Sequence, residues 1–128
     1  MIYRIEMKTN KMTKVLAYGL VVMGVVHIFA TFTPVIGGKL EALNESGRLA
    51  FTYMSLMCGM MLVLGGAVVS MLVDNVKKHP FLRRPYILTI LLLVIDGVLA
   101  ACMMPHNPCA WVILALALPL FCVNLLRR

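Results

Sequence analysis

Four long apolar runs, residues 15–33, 49–73, 86–104 and 109–126, constrain this chain more than any motif in it. Each approaches or exceeds the roughly 18 to 20 residues that cross the hydrocarbon core of a bilayer. A soluble fold of this length has no interior large enough to hide them. Hydrophobic residues make up 62% of the 128 and charged residues 13%, against about 45–50% and about 25% in an ordinary soluble domain. Backbone amides find no water inside lipid, so only helices or closed barrels can span, and these runs lack the period-two alternation of barrel strands. The sequence therefore predicts an all-α, four-transmembrane-helix bundle. A basic cytoplasmic tail occupies residues 1–14 and a single membrane domain residues 15–128.

Charge carries the orientation. The formal net charge is +7, but the basic residues gather at the ends of the runs rather than on one face, so nucleic acid is not an implied partner. Arg4, Lys8, Lys11, Lys14, Lys77, Lys78, Arg83, Arg84, Arg127 and Arg128 fall on one side, with Lys39 and Arg48 on the other. By the positive-inside bias both termini are cytoplasmic. The first run has an apolar core longer than the roughly 7–15 residues of a signal peptide and no small-x-small cleavage pattern after it, so it is expected to remain as a span.

The connections carry stop and start signals. The outer segment "PVIGGKLEALNESGR" opens on a helix breaker and has room for a short interfacial helix. Pro80 and Pro85 bracket a compact basic turn, and Asn107 before Pro108 fits an N-cap followed by the first helical position. Trp111 then falls at the outer interface, and Pro119 interrupts the fourth run.

Helices in lipid associate through small residues that let backbones approach and through hydrogen bonds between side chains. At helical spacing the chain offers three such stripes: Ala17, Leu20, Gly24, His27, Thr31 in the first run; Thr52, Ser55, Gly59, Leu62, Gly66, Val69 in the second; Thr89, Leu93, Asp96, Ala100, Met103 in the third. The seam expected to bind or pack comprises Gly24, Thr31, Thr52, Tyr53, Ser55 and Gly59. Asp96 is the least lipid-compatible residue of all. An ionised carboxylate at the centre of a span costs about 3 kcal/mol on insertion scales, so it needs a partner, a solvent path or a proton. On helical rise, His27 lies roughly 9 Å and Asp96 roughly 12 Å below the outer ends of their helices. The expectation is that these two meet as a candidate acid/base pair.

Other chemistry is sparsely represented. Cys102 and Cys109 flank the outer hairpin and are the pair that an oxidising compartment could join in a disulfide, whereas Cys58 and Cys122 read as small hydrophobes. A bis-histidine haem is disfavoured, because His27 and His106 are separated by roughly 12 Å along the helix axis. A copper(I) path through Met54, Met57, Met60 and Met61 is disfavoured against methionine as an adaptable apolar filler. No metal or cofactor is expected, and no nucleophile elbow, zinc-protease, P-loop or dinucleotide signature occurs in the chain.

The phrases "GVVHIFATFTP", "FTYMSLMCGMMLVLGG" and "MMPHNPCAWVILALALPL" resemble a group of small bacterial four-helix membrane proteins, and in size and helix count the chain is distantly similar to DoxX-like membrane proteins. The resemblance implies a multi-pass protein of the bacterial inner (plasma) membrane and no particular activity. The small multidrug-resistance exporters also have four short helices, but their coupling glutamate lies in helix one, where this chain has His27. The function expected from the sequence is that of a non-enzymatic accessory or lipid- or small-molecule-binding protein in contact with the bilayer, alone, as a homodimer or with a membrane-protein partner. The alternative is a small proton-coupled transporter or membrane-embedded catalyst using His27 and Asp96.

Overall fold

The computed structural model describes residues 2–125, with side chains described from Met7 onward except at residue 35. The Arg4 side chain, and residues 126–128 with Arg127 and Arg128 among them, lie outside the described part. Helix α1 runs Ile2–Thr31, α2 Pro34–Leu40, α3 Glu45–Leu72, α4 Arg83–Met103 and α5 Pro108–Leu125, with a 3-10 turn at Pro80–Leu82. Among the described residues, four helices are long and apolar enough to cross a membrane. The shortest of them, α5, has 18 residues, which gives a length of about 27 Å, close to the roughly 30 Å of a hydrocarbon core.

The helix ends follow local chemistry. Residues 2–14, read from the sequence as a tail, continue directly into the first apolar run as one helix, because nothing in them breaks a helix and Lys, Met, Arg and Glu favour one. The outer segment forms α2, with Pro34 at its first position. Asn44 caps α3 by accepting from the Gly47 amide at 2.8 Å, and Asn107 accepts from the Cys109 amide at 3.0 Å at the start of α5. Trp111 Nε1 donates to the Pro105 carbonyl at 2.9 Å, tying α5 to its own entry turn.

The four long helices form an antiparallel ring in chain order: α1 beside α3, α3 beside α4, α4 beside α5, and α5 closing against α1. Helices α1 and α4 therefore stand diagonally, with α3 and α5 between them. The contact of α1 with α3 is by far the most extensive, and that of α3 with α4 is the thinnest of the four. The shared core holds Ala17, Leu20, Leu62, Val69, Ile90, Leu93, Ile113 and Leu120.

Why α1 and α3 come so close is visible at their glycines. A methyl added at Gly24 would lie 2.6 Å from the Gly59 carbonyl oxygen and 2.9 Å from the Val63 amide nitrogen. One added at Gly66 would lie 2.6 Å from the Ala17 carbonyl oxygen. Backbone thus meets backbone at two places, Gly24 against Gly59 and Ala17 against Gly66, two turns apart on each helix. None of the described glycines has a positive φ, so these residues are required for closeness rather than for an unusual conformation. Elsewhere Gly65 faces the Leu93 side chain, Gly19 faces that of Leu116, and Gly97 of α4 faces the backbone of Leu114 on α5 less closely, at 3.2 Å. The inward faces are narrow: only 22 to 33% of each span's most apolar window is buried. Side chains such as Val22, Phe29, Leu64, Leu88 and Leu99 point outward.

At the end of the bundle that carries both termini, Lys14 pairs with Asp74 at 2.5 Å across α1 and the α3–α4 turn. Asn124 of α5 donates to Thr13 of α1 at 3.2 Å and accepts from Tyr86 of α4 at 2.6 Å, linking three helices through one amide.

Overpacking a tight contact costs about 1–3 kcal/mol. Gly24→Ala and Gly66→Ala are each expected to lose that much in reversible unfolding from mixed micelles. Gly37→Ala, whose added methyl meets nothing within 4 Å, should hold or slightly raise stability. A Gly24→Ala variant as stable as the parent contradicts the close approach.

Candidate functional site

At the opposite end of the ring, away from the termini, polar groups gather on both flanks of α3. On the α1 flank, Thr31 Oγ1 donates to the His27 carbonyl at 3.0 Å. Thr31 and Ser55 hydroxyls stand 2.7 Å apart, and Ser55 Oγ is 3.2 Å from His27 Nε2. Each hydroxyl has one proton to give. Thr31 spends its proton on the carbonyl, so Ser55 must donate to Thr31, and His27 Nε2–H must donate to Ser55. The cluster therefore selects the Nε2–H imidazole and closes a ring of hydrogen bonds between α1 and α3. Thr31 is 3% and Ser55 9% exposed, so the ring is an interior joint; the His27 ring itself is half-buried.

On the α4 flank, Cys58 of α3 points its thiol at Asp96 of α4, with Sγ 3.7 Å from Oδ1 and 3.9 Å from Oδ2. A thiol is a weak donor. Among the described residues no cation forms an ion pair with Asp96, and the carboxyl is half-buried. Ser55 and Cys58 are three positions apart on α3, one turn of the helix, so the two clusters are neighbours with α3 between them. His27 and Asp96 form no hydrogen bond or ion pair with each other; each meets α3, His27 at Ser55 and Asp96 at Cys58. Depth along the helices led the sequence reading to a direct contact. The ring order puts α1 and α4 on a diagonal and turns both residues toward α3 instead.

The remaining seam residues divide by face. Gly24, Gly59, Thr31 and Ser55 are buried between α1 and α3, and Thr52 is half-buried beside them. Tyr53 is 65% exposed and Met103 79% exposed, both on the outside of the ring. Cys58, Cys102, Cys109 and Cys122 all carry free thiols in the structure. Among the described residues no group of three His, Cys, Asp or Glu side chains is placed to hold a metal.

Sequence reasoning missed three participants. Cys58 was read as a small hydrophobe but is the residue that Asp96 meets. Asn124 and Tyr86, which join α4 and α5 to Thr13 of α1, were not singled out, although Asn124 is the one amide in an otherwise apolar fourth run.

Beside Cys58 the thin contact between α3 and α4 opens into an apolar groove of about 510 Å³, lined on α3 by Met57, Cys58, Met61 and Leu64 and on α4 by Leu92 and Leu93. Its volume falls within the roughly 300–1,000 Å³ of small-molecule sites. Cys58 lines the groove and contacts Asp96, which lies one turn beyond Leu92 on the same helix and just outside the lining, while Thr89 lines the opposite end. Fold and site together define a class: a ring of four membrane-length helices with an acid beside an outward-facing apolar groove. No family model, no curated protein and no solved structure matches the chain.

Interhelical hydrogen bonds in bilayers average about 0.6 kcal/mol and reach about 1.7. Ser55→Ala should therefore cost less than the glycine substitutions, in the same unfolding measurement. Nitrogen-15 NMR of the imidazole in the parent protein should show a proton on Nε2, and a proton on Nδ1 with none on Nε2 would break the deduced ring.

Proposed function

We propose that this chain is a multi-pass protein of the bacterial inner membrane that binds a lipid or another small amphiphile without transforming it. Its hydrocarbon part lies in the α3–α4 groove and its polar group meets Asp96. The observation that carries this reading is an acid with which no cation among the described residues forms an ion pair, held by Cys58 beside an apolar groove of ligand size. A charged residue at a span's centre costs about 2.5–3.5 kcal/mol on insertion scales, and a single thiol at 3.7 Å returns little of it. A hydroxyl, amide or amine delivered by a ligand offsets that cost.

The membrane setting is supported by the apolar outer faces of the four helices. The orientation is supported by charge: Lys8, Lys11, Lys14, Lys77, Lys78, Arg83 and Arg84 belong to the end that carries the termini, and Lys39 and Arg48 to the other. Both termini are then cytoplasmic. The groove faces the lipid, so a second copy or another membrane protein is the competing occupant.

The test is native mass spectrometry of protein extracted from its own membrane in mild detergent. The parent should retain an amphiphile. Met61→Trp, which fills the groove, should lose it. A hydrogen bond to a charged group contributes about 1.5–3 kcal/mol, so Asp96→Asn should reduce retention at least about tenfold while raising the stability of the ligand-free chain. Unchanged retention together with lowered stability would make Asp96 a packing residue and end this reading. A retained protein subunit in place of a small molecule would assign the groove to a partner.

The meeting of His27 and Asp96 with α3 one turn apart, at Ser55 and Cys58, favours a second reading, a proton-coupled transporter or membrane-embedded catalyst. It requires that the pH profile of an activity shift when either residue is replaced. Profiles that coincide in His27→Gln, Asp96→Asn and the parent exclude it.

A further inference from the structure

At the end of the bundle that carries the termini, a second recess of about 210 Å³ lies between the α3–α4 turn and the last turn of α5, lined by Lys77, Arg83, Tyr86 and Asn124 with Pro80 and Ile87. We infer that this recess binds the phosphate group of an anionic phospholipid of the cytoplasmic leaflet.

Four features point to that chemistry. Among the described residues its lining contains two cations, Lys77 and Arg83, and no carboxylate. An Arg fork and a Lys point charge are the side chains that suit phosphate oxygens. The volume is an order of magnitude above the about 10–15 Å³ that holds one water, which leaves room for a phosphodiester and the start of its glycerol. The polar wall is also rigid: Tyr86 is 3% exposed and donates to Asn124, whose amide nitrogen is held by the Leu120 carbonyl at 2.7 Å and by Thr13 at 3.2 Å. Finally, Arg83 opens α4 and Asn124 closes α5, so the recess lies at headgroup level once these helices span a bilayer. Basic pockets between helices on the cytoplasmic side are suited to anionic headgroups. The inference rests on the reading of the helices as spans and is independent of what occupies the α3–α4 groove near Asp96.

The experiment extracts the full chain into a neutral detergent from vesicles of phosphatidylcholine with or without phosphatidylglycerol, and counts retained lipid by native mass spectrometry. Extraction at about 0.5 M salt shortens the screening length to a few ångströms, which removes lipid held only by diffuse surface charge. The parent should keep a phosphatidylglycerol and no phosphatidylcholine in this site. Each cation near an anionic headgroup is worth about fivefold in retention, so Lys77→Gln with Arg83→Gln should lose more than about tenfold. Lys78→Gln with Arg84→Gln, which removes equal charge from the same segment outside the recess, should retain lipid like the parent. Within each variant, the thermal stabilisation produced by phosphatidylglycerol over phosphatidylcholine gives a readout that a general loss of stability does not imitate. Equal loss in both double variants, or loss in neither, overturns the site. In a final arm, inorganic phosphate is added to lipid-free parent. Stabilisation that Lys77→Gln with Arg83→Gln abolishes would keep the phosphate site but name a soluble anion as its source.

Discussion

The approach of α1 to α3 at two glycine contacts governs the rest of this structure. The other backbone approach among the described glycines, Gly97 of α4 to Leu114 of α5, is looser, with an added methyl 3.2 Å from the Leu114 Cα. With Gly24 on Gly59 and Ala17 on Gly66, dispersion contacts accumulate along the whole length of both helices, which is the main source of helix adhesion where the surrounding solvent is itself apolar. The polar ring of His27, Ser55 and Thr31 extends the same interface by one more turn. Its hydrogen bonds fix rotation and register more than they add energy.

A helix committed so fully to one neighbour has little surface of the right shape for the next. The opposite flank of α3 presents Met57, Cys58, Met61 and Leu64, and its glycine there, Gly65, is met by the Leu93 side chain rather than by backbone. The groove, and Asp96 with the Cys58 thiol as its neighbour, lie on this looser flank. Helix α4 instead turns Gly97 toward Leu114 of α5 and is held at the far end by Tyr86 and Asn124. The bundle is thus tight along one interface, fastened at the end that carries the termini, and open on the α3–α4 flank from mid-helix toward that same end.

Much of this could be read in the sequence because lipid-length runs and small-residue stripes depend only on spacing along a helix. The stripes through Gly24 and Gly59 became the α1–α3 contact, and the caps at Asn44 and Asn107 and the short helix after Pro34 follow from local chemistry. The site was less legible. Depth can be counted along a sequence, but the order of helices around a ring cannot. His27 and Asp96 were therefore placed at compatible depths and given a contact that the diagonal between α1 and α4 does not allow. Cys58 was overlooked because a thiol in an apolar run carries no signal until its neighbour is known. Asn124 did carry one, being an amide within apolar residues, and Tyr86 acquired a role only once α5 lay beside α4. Tyr53 shows the converse error: a polar ring near a seam was counted with it, but its position on α3 faces outward.

The central claim is that the loose flank of α3 is a ligand site with Asp96 as its polar end. The most direct measurement is an electron cryomicroscopy structure of the chain in a nanodisc made from its native lipids. The account predicts elongated density along Met57, Met61 and Leu64 whose polar end lies within hydrogen-bond distance of the Asp96 carboxyl. Closure of α4 onto α3 with the carboxyl paired to a side chain of the same molecule would contradict it.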